Sequence, residues 1–208
     1  MAQHAGSDAV RIALIVGSTR PNRFADRPAQ WILEETSKRS DLVVEVLDLR
    51  DWELPFFEEP ASPGYTGGTF SNAEAERWRH KIGEFDAYIA TAAEYNHAPT
   101  AVLKNAFDSA FTEWQNKPIG FVGYGGVGGA RAVEHLRMIA IELQMAPIQK
   151  AVHIGVEPYL GVLMEGKSFD DYPFVVQARS AMLDQLVWWA RALRTARSER
   201  DVLSSLAA

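Results

Sequence analysis

The chain has 208 residues, 47% of them hydrophobic and 23% charged, with a formal net charge of −6. That is the composition of one ordinary globular domain, long enough to bury most of its apolar surface. The acidic balance argues against nucleic acid and anionic membrane as bulk partners, and the lack of cysteine excludes disulfides, thiolate metal sites and a cysteine nucleophile.

In chain order, residues 1–10 read as a flexible tail. Their start, "MAQHAGSDA", has neither the basic head nor the apolar core of a signal peptide, and no apolar run approaches the ~20 residues of a membrane span. A cytoplasmic protein is expected. Arg11–Val16 reads as the first strand, with Ala29–Ser37 inside the first helix. Leu42–Leu47 is a second strand and Ala73–Ile82 a helix; Phe85–Thr91 is a third strand, followed by a helix over Ala101–Phe111. Pro118–Gly123 is a fourth strand with a helix over Ala130–Leu143, Ala151–Ile154 belongs to a fifth strand, and a long helix runs over about 174–197. Residues 11–200 form a single domain in this reading, and 201–208 a C-terminal tail. Continuously apolar strands in strict alternation with helices imply an α/β fold whose parallel sheet is covered on both faces. The proline-rich stretch 50–72 is either a flap beside the site or plain disorder.

Ligands of such sheets gather at the carboxyl ends of the strands, so the loops after strands one, three and four carry the chemistry. "GSTRPNR", residues 17–23, sets the hydroxyls of Ser18 and Thr19 beside Arg20, Asn22 and Arg23, just ahead of a helix N-terminus. Amides, hydroxyls and guanidiniums together make an anion site, suited to a phosphate. The alternative is a polar turn whose hydroxyls cap its own backbone. "AAEYNHAPTAVLKNAFDSA", residues 92–110, places Glu94, Tyr95, Asn96 and His97 where amide edges and an aromatic wall could hold a flat heterocycle. His97 as a hydrogen-bonding turn residue and Glu94 as a salt-bridge partner are the plainer readings of those two side chains. In "GFVGYGGVGGARAVEHLR", Gly123, Gly125 and Gly128 match G-x-G-x-x-G, the glycine turn of dinucleotide-binding folds. Here, however, the motif follows strand four, while the first loop already offers a phosphate site.

Together, "GSTRPNR", "EYNHAPTAVLKNAFD" and "YGGVGGARAVEHLR" resemble the NAD(P)H-dependent FMN reductase family, in order and approximate spacing over about residues 11–155. The resemblance implies a flavodoxin-like three-layer sandwich with a five-stranded parallel sheet of order 2-1-3-4-5. It implies FMN as cofactor and NADPH or NADH as co-substrate. The phosphate would lie on Ser18, Arg20 and the backbone of Asn22, Arg23, Phe24 and Ala25, the isoalloxazine edge along Glu94, Tyr95, Asn96 and His97, and the loop at Tyr124, Gly125 and Gly126 would close the other side. It further implies hydride transfer through the flavin to a quinone, free flavin or similar small acceptor by a ping-pong mechanism, in a homodimer or homotetramer. No catalytic side chain is needed, because the flavin carries the chemistry. The five histidines are scattered and suggest no metal site. Three rivals stand beside this reading: a flavodoxin-like electron carrier, a flavin-free binding or assembly protein on the same fold, and a dehydrogenase using the glycines of residues 123–128. The last needs an acidic ribose partner about 20 residues on, and Glu157 comes later than that.

Overall fold

Strand β1 (Val10–Val16) alternates its side chains between two apolar layers, as the two-residue period of a strand requires. Ile12 and Leu14 pack with helix α1 (Asp26–Thr36) and the long helix α6 (Pro173–Leu206), while Ala13 and Ile15 pack with α2 (Ala73–Gly83), α3 (Ala101–Asp108) and α4 (Ala130–Glu142). The structure, a computed structural model, describes residues 8–206. Of the two expected tails, residues 1–7 and 207–208 lie outside those described, and α6 continues to Leu206.

The sheet is parallel with the order β2-β1-β3-β4-β5, β2 spanning Leu42–Asp48, β3 Ala87–Ala93 and β4 Pro118–Tyr124. This is the expected flavodoxin-like order with one refinement. The fifth position is filled by two short pieces, β5 (Ala146–Pro147) and β6 (Val152–Ile154), both paired with β4. The ladder bonds to β4 come from Ala146 N and Ile148 N, which donate to Lys117 O and Ile119 O at 3.0 Å each, so Pro147 between them loses no bond to β4 by lacking an N–H. A further helix, α5 (Val156–Met164), stands between β6 and α6, where no element was expected.

Register brings the functional loops together. Val16 pairs with both Asp48 and Thr91, and Ala93 pairs with Tyr124, so β1 to β4 end at one edge of the sheet. The stretch 52–72 packs elsewhere: Asn105 of α3 accepts from Phe57 N at 3.1 Å and donates to Pro55 O at 2.8 Å. Among the described residues, no helix is long and apolar enough to cross a membrane.

Candidate active site

The loop after β1 is held by its neighbours before any ligand arrives. Gly17 N donates to Thr91 Oγ1 at 2.9 Å, and Thr100 Oγ1 donates to Gly17 O at 2.6 Å while capping α3. Ser18 is buried, and its hydroxyl shares a hydrogen bond with Tyr95 Oη at 3.3 Å. Asn22 turns the chain at φ 53°, a left-handed conformation that asparagine tolerates. Arg23 folds inward onto Asp26 and Asp48, with its side chain 2% exposed. Arg20 stays outside, over the Tyr95 ring at 5.6 Å from its centroid, and pairs with no carboxylate among the described residues. Phe24 packs against Tyr159 and Tyr124 with centroids 4.2 and 5.4 Å away, and the buried Ala25 is the N-cap of α1, which has no side-chain cap.

The loop after β3 is a tight hairpin. Tyr95 and Ala98 exchange backbone hydrogen bonds at 2.9 and 3.0 Å, with Asn96 (φ 51°) and His97 (φ 71°) at the tip. Two central residues at positive φ are what a type I′ turn requires. At the tip of this turn Asn96 and His97 are exposed. Arg131, in the first turn of α4, ties this hairpin to the next loop: its backbone N donates to Glu94 Oε2 at 3.1 Å, its guanidinium pairs with Glu94, and Nη1 donates to His97 Nε2 at 2.7 Å. Burial pushes the Glu94 carboxyl up, but the Arg131 guanidinium and amide outweigh it and hold the group below the usual carboxylate range. Glu94 is therefore an ion-pair partner and not a free base.

The glycines after β4 divide into two sets. A Cβ on Gly123 would meet Gly128 O at 2.6 Å, and one on Gly129 (φ 69°) would meet Tyr124 N at 2.5 Å, so these let the loop fold back onto its own strand. Gly125 and Gly126 face outward into a cavity, and a Cβ on Gly126 would meet nothing within 4 Å.

That cavity, of about 490 Å³, lies where the three loops converge. Ser18, Arg20, Asn22, Arg23 and Phe24 reach it from the first loop, Glu94 and Tyr95 from the second, and Tyr124, Gly125 and Gly126 from the third. Ala25, Asn96 and His97 do not line it. Its remaining wall is Ala93 with Val156, Tyr159 and Leu160 of α5. The sequence carried a signal for that wall, since Val156, Tyr159, Leu160 and Leu163 follow Gly155 at the spacing of one helix face.

Residues 10–157 match the family described as NADPH-dependent FMN reductase. The chain belongs to this family. An NAD(P)H-dependent FMN reductase of Schizosaccharomyces pombe is 31% identical over 144 residues, covering 68% of this chain and 72% of that one. An NADPH:quinone oxidoreductase of Arabidopsis thaliana is 31% identical over 146 residues, covering 68% and 71%. Among solved structures, the flavoenzyme NAD(P)H:(acceptor) oxidoreductase FerB of Paracoccus denitrificans superposes with a TM-score of 0.66 at 20% identity, covering 88% of this chain and 98% of that one, a likeness of fold. Membership of the FMN reductase family makes the protein an oxidoreductase with FMN as cofactor and NAD(P)H as co-substrate.

The residues present suit that cofactor. A phosphate needs positive charge and donors, and would find Arg20, the Ser18 hydroxyl and an α1 N-terminus without a side-chain cap. A flat ring fits against a wall without side chains, and Gly125 and Gly126 would supply one in the cavity that Tyr95 also lines.

Proposed function

We propose that the protein passes electrons from NAD(P)H to a small acceptor, a quinone or free flavin, in a ping-pong sequence. The observation that carries this is one cavity shared by the three loops. All three loops open into it, and one apolar rim, Val156 and Leu160 of α5, is available to an incoming planar molecule. When bound, FMN supplies the two-electron chemistry between donor and acceptor. The chain's own residues bind and orient. Ser18 and Arg20 hold the phosphate with the backbone of residues 22–25, while Tyr95, Gly125 and Gly126 bed the ring. Arg131, through Glu94 and His97, keeps the two ring loops at a fixed spacing. The name of the Arabidopsis relative supports a quinone as acceptor.

The working form in this proposal is a cytoplasmic homodimer or homotetramer of single-domain subunits. Leu163 and Met164, 44% and 75% exposed beside the cavity wall, favour a subunit contact there. Steady-state rates measured over a grid of NADPH and quinone concentrations test the sequence of events. Parallel double-reciprocal lines are expected, and intersecting lines with an isolable ternary complex would exclude it.

A further inference from the structure

The FMN reading above leaves open what gives the phosphate loop its shape. Arginine has five N–H donors, and in Arg23 every one is placed. Nε donates to Asp26 Oδ1 at 2.8 Å, and Nη2 to the same oxygen at 2.5 Å. Nη1 and Nη2 donate to the two oxygens of Asp48 at 2.7 and 2.5 Å, and Nη1 also donates to the backbone carbonyl of Ser18 at 2.5 Å. No donor remains for a ligand. Arg50 closes the cluster with Nη2 2.7 Å from Asp48 Oδ2, so two guanidiniums balance two carboxylates. The net charge offered to a phosphate by this group is zero, which leaves Arg20 as the cation on the loop.

Asp48 is suited to direct this arrangement. It ends β2 directly beside Val16, the last residue before the loop, and it caps the following turn by accepting from Arg50 N at 2.9 Å. A bidentate carboxylate–guanidinium pair fixes the plane of the guanidinium, and that plane fixes where Ser18 O can sit. The Ser18 hydroxyl and the next amides follow from that carbonyl.

We propose that Asp48, acting through Arg23, is a positioning residue that shapes the phosphate loop and so sets the preference for phosphorylated flavin over its unphosphorylated form. It rests on the cavity being the FMN site. The experiment titrates the full chain, freed of flavin, with FMN and with riboflavin, following flavin fluorescence, for wild type, Asp48→Asn and Arg23→Lys. Lysine keeps the charge but cannot fork between Asp48 and Ser18 O. In both variants the FMN-to-riboflavin affinity ratio is expected to fall about tenfold, with riboflavin affinity unchanged. The FMN concentration for half-maximal activity should rise while kcat at saturating FMN stays. Arg23→Lys answers alone if Asp48→Asn does not fold. An unchanged ratio, or equal weakening of both flavins, overturns the inference. A wild type with no preference for FMN overturns the phosphate-site reading itself, and this inference with it.

Discussion

The two ends of the cavity are built on opposite plans. At the end proposed for the phosphate, side chains dominate: the Ser18 hydroxyl, Arg20 with no carboxylate partner among the described residues, and Arg23 enclosed by carboxylates. At the end proposed for the ring, backbone dominates: a type I′ hairpin, two glycines lining the cavity, and an acidic side chain already paired with Arg131. The difference teaches that a charged residue near a ligand site is informative only once its partners are known. Arg23 and Glu94 are both charged residues of the cavity wall, and both are committed to the protein. Arg20, the exposed one, is the group left to meet an anion.

Substitutions at the two ends should therefore fail differently. Gly129→Ala should do most damage, because Gly129 sits at φ 69° with its own strand's backbone in the way. A stability loss of ~3 kcal/mol, read by thermal or urea melting, is expected, together with weaker binding of every flavin. Arg20→Ala should leave stability alone and raise the FMN dissociation constant roughly 30-fold with riboflavin unaffected. Equal losses for the two flavins would erase the contrast between the ends. Gly126→Leu should weaken FMN and riboflavin alike, by roughly tenfold, because the added side chain enters open space at the ring end and strains nothing in the fold.

An effect on stability alone belongs to neither end. Lys117 immediately precedes β4, at the opposite edge of the sheet, where burial and the neighbouring Arg197 lower its ammonium to about 8. Between that value and the ordinary ~10.4 of lysine, the unfolded chain binds more protons than the folded one, so stability from this group rises with pH. Relative to Lys117→Met, the wild type should gain ~1–3 kcal/mol as pH climbs through that window, with flavin binding untouched. A pH-independent difference between the two melting curves would contradict the assignment.

Much of this was legible in the residues. Apolar runs ending in "GSTR", "EYNH" and "GYGG" marked the strand ends where ligands collect, and the sheet order agrees with the family resemblance. What could not be read depends on contacts distant in sequence. Arg23 looks like a phosphate ligand until β1–β2 pairing sets Asp48 beside it, 25 residues on. The helical spacing in "GVEPYLGVLM" is local, but that this face closes the cavity beside Tyr124 is shown only by the fold. Asn96 and His97 sit exposed at the tip of a turn with two successive positive φ values, which only the backbone reveals. Trp188 and Trp189 look equivalent in sequence, yet Trp189 packs on the core while Trp188 is 65% exposed.

The most direct test is a visible spectrum of the purified, FMN-loaded protein before and after NADPH or NADH is added under nitrogen, followed by one equivalent of quinone. The flavin band should bleach with at least one nicotinamide and return on addition of the quinone. A chain that takes up no FMN, or whose bound flavin stays oxidised with both nicotinamides, would contradict the account.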